Sequence, residues 1–296
     1  MFEFSHAKKH MIHEIQAKVM LAHIKQPDPW FGLKYNMNLY RGCPHQCIYC
    51  DSRSECYQIE NFEDVLVKVN AVDRLRAELP RKRVKGTIGT GSMSDPYLPV
   101  ERQYRLTARA LEVIAEYGFP VHILTKSDLV VRDLDTLQTI NEALAVVSFT
   151  ITTTDDDLAR KLEPGAPSPS RRLKALETLA GQGIRTGILL TPVLPFIEDN
   201  EDNVRAVVEQ AKTHGASYIL AAFGMTLRDR QRAYYYDQLD RWFPGLRAKY
   251  EQRYGERYSC HANPALQPLL DELCEQYGIA QVVPRYQPPA QQLSLF

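Results

Sequence analysis

Tyr40-Arg41-Gly42-Cys43-Pro44-His45-Gln46-Cys47-Ile48-Tyr49-Cys50-Asp51 carries three cysteines in a C-x3-C-x2-C spacing. Gly42 and Pro44 flank the first of them and force a loop there. Cysteines so close in one loop of a long chain suit a metal centre better than cross-links. Iron–sulfur clusters normally take four ligands, usually cysteine. Only three are adjacent here, which leaves either a fourth protein ligand or one open iron. Cys56 is the nearby spare cysteine and His45 lies inside the loop, so a Cys3His structural zinc site also fits by ligand count. His45 stands between two of the ligands, where bending back to the same metal is awkward.

The chain around this loop has 296 residues, 44% of them apolar, enough to build a full core. Lys+Arg 36 and Asp+Glu 36 cancel, so there is no overall field to drive non-specific nucleic-acid binding, and any such contact needs a local patch. The remaining cysteines, Cys56, Cys260 and Cys274, are scattered. The N-terminal stretch lacks an apolar h-region and no apolar run reaches membrane-spanning length, so the expected setting is a reducing cytoplasm with no membrane contact.

From residue 34 onward, strand patterns alternate with helical ones. Strands are expected at 34–40, 84–90, 120–125, 145–151, 184–190 and 217–222. Helical spacing is read over 62–79, 104–117, 129–143, 170–181 and 201–214, the last with Asp199 as N-cap. Six strands alternating with helices argue an α/β fold with a parallel sheet that curls toward a barrel, its site at the C-terminal strand ends. The cysteine loop follows the first strand and so falls on that side. Residues 1–33 read as a lead-in with a short helix near 12–22, whose histidines (His6, His10, His13, His23) read as surface residues. Residues 34–225 form the barrel unit, 226–284 a helical extension, and 285–296 an extended tail. The glycines of 86–91 lack the Walker lysine and the dinucleotide spacing, so no phosphate loop is expected.

With Tyr49 directly before the third cysteine and this β/α rhythm around it, the loop resembles the signature of radical S-adenosylmethionine (radical SAM) enzymes. The resemblance implies a partial (β/α)6 TIM-type barrel and a [4Fe–4S] cluster held by Cys43, Cys47 and Cys50. S-adenosylmethionine would take the open iron, and one electron, from a donor such as flavodoxin or ferredoxin, would yield a 5′-deoxyadenosyl radical. About residues 30–254 resemble the spore photoproduct lyase-like branch, also called DNA repair photolyase-like. The supporting segments are N-L-Y-R-G-C-P-H-Q-C-I-Y-C (38–50), S-D-P-Y-L-P-V-E (94–101), L-T-K-S (124–127) and E-P-G-A-P-S-P-S-R-R-L (163–173). By resemblance, Lys126, Ser148 and Arg172 contact the amino-acid and ribose parts of the cofactor. Ser94 and Asp95 lie near its methionyl end, and Tyr49 and Thr150 complete the set. One departure stands out: where spore photoproduct lyase has a hydrogen-donating cysteine, this chain has Ser92. A serine O–H is too strong a bond to replace it, so Cys56, Cys260 and Cys274 become the candidate donors.

Two further stretches bear on partners. Residues 228–258 carry a net charge of +3 with Tyr234, Tyr235, Tyr236 and Trp242 interleaved. This suits either a nucleic acid, with cations on phosphate and rings on bases, or an amphipathic helix whose tyrosines pack on the barrel. The closing Gln292-Leu293-Ser294-Leu295-Phe296 resembles the pentapeptide with which bacterial proteins dock on the replicative sliding clamp, here on a proline-stiffened tether. The combined expectation is a lyase-like radical SAM enzyme acting on DNA in repair while tethered to the clamp. The alternatives are a radical SAM enzyme with an RNA, protein or small-molecule substrate, and a non-catalytic Fe–S or zinc module brought to clamp-loaded DNA.

Overall fold

The computed structural model describes residues 11–26 and 28–288; the pentapeptide 292–296, His6 and His10 lie outside them. The expected parallel sheet is present. It comprises β1 (Tyr35–Met37), β2 (Ile88–Thr90), β3 (Val121–Thr125), β4 (Ala145–Thr150), β5 (Arg185–Val193) and β6 (Tyr218–Thr226), paired in chain order. Ala22–His23 adds an antiparallel edge beside β1, and β7 (Ser259–His261) an antiparallel edge beside β6. The sheet therefore runs between two edges, and the barrel is partial.

Helices Ala71–Glu78, Leu106–Glu116, Leu134–Ile140, Pro169–Gly181 and Glu201–Thr213 form the crossovers. Their apolar stripes, such as Leu176 and Leu179 or Val204, Val207 and Val208, bury against the outer sheet face at Val147, Phe149, Ile188 and Leu190. β4 is buried on both faces over all six residues, as strands covered by crossover helices must be. Each fully buried large apolar side chain contributes about 1.5–3 kcal/mol. Asn200, not Asp199, caps the helix Glu201–Thr213 by accepting the Asn203 amide at 3.0 Å, while Asp199 accepts the Phe196 amide at 2.6 Å. Among the described residues, no helix is long and apolar enough to cross a membrane.

The first strand and its surroundings differ from expectation. β1 ends at Met37, and Tyr40–Arg41 pairs antiparallel with Val65–Lys68, which pairs in parallel with Ile12–Ile15. The stretch 12–22 is thus no helix. Ile12-His13-Glu14-Ile15 puts β-branched residues at both ends of a strand that Val65–Lys68 can extend, and the Asp64 carboxylate accepts the Met11 amide at 2.9 Å. The stretch 62–79 turns helical only at Ala71 because Val65-Leu66-Val67-Lys68 alternates buried and half-buried positions with period two. His13 and His23 are exposed, as expected.

The extension holds helices Asp229–Trp242, Leu246–Tyr254 and Leu266–Tyr277. Tyr235, Tyr236, Tyr250 and Tyr254 pack in one apolar cluster with Cys47, Ile48, Tyr49 and Leu162. Arg232 donates to the Gly255 and Arg257 carbonyls, and Arg247 pairs with Asp240 and Glu251 at 2.9 Å each. Of the two readings of this segment, these contacts follow the packing one: the tyrosines cover the back of the cysteine loop.

Candidate active site

The cysteine loop is gripped by backbone at several points. Cys43 donates its amide to the Phe62 carbonyl at 3.0 Å, Ile48 donates to Leu162 at 2.8 Å, and His45 accepts from the Gly165 amide at 2.9 Å. Gly42 sits at φ 76°, where a Cβ would overlap the Asp64 carbonyl oxygen, so glycine is required on two counts. A Cβ at Gly165 would likewise overlap the Pro44 carbonyl oxygen. The Glu163-Pro164-Gly165 turn therefore fits directly under the loop. Ser94 Oγ donates to the Gly42 carbonyl at 2.7 Å and fixes the loop from the β2 side.

Cys43, Cys47 and Cys50 border one cavity of about 150 Å³ with Ser94, Asp95 and Lys126. Burial pushes all three thiols up, Cys47 to about 12. Each would bind iron as the thiolate, giving up its proton. Among the described residues, no three His, Cys, Asp or Glu side chains gather around a single ion-sized point. Three thiols spaced around a shared cavity fit a cluster, in which each thiolate takes a different iron, better than one tetrahedral zinc. His45 is buried with Nδ1 3.6 Å from Asp95 Oδ2.

Asp95 ties the rim together. It accepts from the Tyr97 amide at 2.8 Å, Thr125 Oγ1 at 2.7 Å and the Lys126 amide at 2.6 Å. Behind the cavity lies Glu163, almost fully buried, which accepts from Tyr49 Oη and pairs with Arg172 at 2.5 Å and Lys126 at 3.9 Å. Burial opposes charge on Glu163, yet Arg172 and Lys126 hold its pKa below the ordinary carboxylate value. Lys126 is raised despite its own burial, because Cys47 and Glu163 favour the cation.

Of the expected cofactor contacts, Ser94, Asp95, Lys126 and Thr150 line the cysteine cavity. Arg172 does not; besides Glu163 it donates to the Thr150 carbonyl at 2.9 Å and the Pro167 carbonyl at 2.7 Å. Ser148 is fully buried one pleat below Thr150, between His122 Nε2 at 2.6 Å and Tyr218 Oη at 2.5 Å. Gly187 leaves room for the Tyr218 ring there, since a Cβ would overlap it.

A second cavity, of about 530 Å³, opens beside the first and is lined by Tyr49, Tyr57, Phe223, Met225, Cys260 and His261 among others. Ser92 borders both cavities, with its hydroxyl 3.1 Å from Asn36 Nδ2. The three candidate donor cysteines separate clearly. Cys274 is buried in the helix Leu266–Tyr277, Cys56 is exposed beside Arg228, and Cys260 on β7 borders the second cavity while being buried in the tyrosine cluster.

Three residues of the site went unassigned in the sequence. Glu163 stands in the quoted E-P-G segment, and that turn, directed at a cysteine loop, was the available signal. Arg53 and Glu198 carried none: both are buried ionisable side chains, and nothing in their local sequence marks them so.

The profile of the family described as "Radical SAM superfamily" matches residues 37–211. An uncharacterized protein of Mycobacterium tuberculosis is 30% identical over 247 residues, covering 81% of this chain and 72% of that protein. A protein of Pseudomonas phage M6 named radical SAM Nalpha-GlyT isomerase is 26% identical over 181 residues, 61% of this chain and 37% of that one. A mutant spore photoproduct lyase structure with bound AdoMet and dinucleoside spore photoproduct shares the fold. It superposes with a TM-score of 0.68 at 17% identity, covering 92% of this chain and 82% of that one.

Proposed function

This chain belongs to the radical SAM superfamily, and from that premise we propose that it is an enzyme acting on damaged or modified DNA in the cytoplasm. Its cofactors are a [4Fe–4S] cluster and S-adenosylmethionine, which together supply a 5′-deoxyadenosyl radical when a low-potential donor such as flavodoxin or ferredoxin provides an electron. Cys43, Cys47 and Cys50 hold the cluster. Lys126 offers a cation to the cofactor carboxylate, and Thr150 and Tyr49 border its remaining parts. Asp95 keeps the ends of β2 and β3 in place around them. Arg172 acts from behind, as a support of the rim, whereas Ser148 lies below it with His122 and Tyr218.

The observation that carries the reading is the pair of adjoining cavities. The cysteine cavity meets a larger one at Ser92, on the side where a barrel enzyme binds its substrate. The dinucleoside photoproduct bound by the fold-sharing lyase supports a nucleic-acid substrate for the larger cavity. The test is anaerobic reconstitution, reduction and measurement of 5′-deoxyadenosine. Lesion-bearing DNA is expected to raise its rate of formation over undamaged DNA, and Cys50→Ala to remove both the cluster spectrum and the product. A rate indifferent to every DNA tried moves the substrate to RNA, protein or a small molecule.

Hydrogen return falls to Cys260. Burial pushes its thiol up to about 11, against the pull of Arg232, so it carries S–H at neutral pH. The product radical takes that hydrogen atom, and the thiyl left behind is restored by one electron from the donor and one proton from water. In D2O the product acquires deuterium through this exchangeable thiol, and Cys260→Ala abolishes that label; a label unchanged in the variant rejects the assignment. The pentapeptide Gln292–Phe296 docks the enzyme on the sliding clamp. Deleting it removes clamp binding with cluster content intact, and equal affinity after deletion refutes docking.

A further inference from the structure

Among the described residues, Arg53 is a buried cation that forms no ion pair with a carboxylate. It is 9% exposed, and its Nε and Nη2 find no hydrogen-bond partner among the described residues. Of the other cations near the cysteine loop, Arg172 and Lys126 face Glu163, and Arg228 pairs with Asp51. Arg53 instead lies between two rings, with its guanidinium carbon 3.6 Å from the Tyr234 centroid and 4.7 Å from that of Phe62. Such a stack holds a guanidinium in place but leaves its charge uncancelled.

That charge is fixed against the cysteine loop. Arg53 ends the short turn Asp51–Arg53 that follows Cys50, and its amide donates to the Cys50 carbonyl at 3.2 Å. Phe62 gives its carbonyl to the Cys43 amide. Tyr234 lies on the helix Asp229–Trp242, from which Gln231 donates to the Tyr49 carbonyl at 2.9 Å. Both rings that hold Arg53 therefore belong to segments that also hold the loop.

We propose that Arg53 is the electrostatic counter-charge of the cluster, placed to favour its reduced form. The inference rests on the cluster reading above. A [4Fe–4S] centre with three thiolates is anionic, and reduction adds one more negative charge. A fixed, desolvated cation stabilises the more negative state more strongly and so raises the reduction potential. A carboxylate beside Arg53 would cancel this effect, whereas two neutral rings preserve it.

The experiment is an EPR-monitored redox titration of the reconstituted full-length protein, with Arg53→Gln and Arg53→Lys alongside. Iron and sulfide content are read first. If wild type takes up no cluster, the cluster reading fails and this inference falls with it. With clusters present, Arg53→Gln is expected to lower the reduced-to-oxidised ratio at a fixed potential about tenfold, which is about 59 mV for a one-electron couple. Arg53→Lys keeps the charge and is expected to stay near wild type. A glutamine variant with full cluster and the wild-type midpoint overturns the inference while leaving the cluster reading intact. A lysine variant displaced as far as glutamine also overturns it, because packing rather than charge is then responsible. If Arg53→Gln does not assemble, Arg53→Lys decides: a wild-type midpoint supports the counter-charge and a tenfold displacement rejects it.

Discussion

Ser148 and Thr150 stand two residues apart on the same face of β4, and they belong to different parts of the molecule. Ser148 lies in the barrel floor with His122 and Tyr218, where every group is neutral; burial pushes the His122 imidazole down to about 3. Thr150 lies at the rim, where Asp95 and Lys126 line the cysteine cavity and the Glu163–Arg172 pair stands behind it. One pleat of depth separates a plug that excludes charge from a site that collects it. A polar residue on an inward strand face is thus read by its distance from the strand's C-terminal end as much as by its type.

The sharpest way to break this contrast is at Glu163. Glu163→Gln leaves two buried cations without their anion and is expected to destabilise the fold by about 5 kcal/mol, the upper end of the cost of breaking a buried pair. Denaturant midpoints read the loss, and an unchanged midpoint means the rim does not depend on this network. The pH behaviour follows from the same group. Its folded pKa is depressed, so its contribution is full above the ordinary value of 4.5 and disappears as pH falls through the lower folded value.

Glu198 sharpens the contrast from the opposite sign. It accepts the Leu194 amide at 3.1 Å, its second oxygen has no partner among the described residues, and burial pushes it up to about 8. A raised folded pKa gives stability that is complete below the ordinary 4.5 and declines as pH rises through about 8. Glu198→Gln is expected to flatten that decline, a difference on the order of 5 kcal/mol across the window. Parallel stability–pH curves for variant and wild type would place the charge elsewhere. The smallest effect is expected in the floor: Ser148→Ala costs about 1–3 kcal/mol through the unpaired His122 and Tyr218 groups. It leaves S-adenosylmethionine affinity unchanged, while Thr150→Ala weakens that affinity. Equal losses of affinity in the two variants would erase the boundary between floor and rim.

Much of this architecture is legible in the residues themselves. The six parallel strands and most helices between them appear where period and spacing place them, while the cysteine loop follows the separate pairing of Tyr40–Arg41 and not the first parallel strand directly. What escapes is whatever depends on distant partners. Val65–Lys68 carries both a helical and an alternating pattern, and only pairing with Ile12–Ile15 and Tyr40–Arg41 selects the strand. The tyrosines of 234–236 suit a nucleic acid or a core equally well until Ile48 and Tyr49 are seen beneath them. Ser148 and Arg172 have the right chemistry for a cofactor, yet protein groups occupy their polar atoms.

The grip on the cysteine loop also orders events during synthesis. Tyr49 meets Glu163 at a sequence separation of 114 residues, and its carbonyl meets Gln231 at a separation of 182. A ribosome delivers the three thiols long before it delivers the turn that supports them or the tyrosine-rich helix that shields them. The nascent cysteines are therefore open to solvent and oxidants through most of translation. The grip on the loop is complete only once the chain has been made through Gln231.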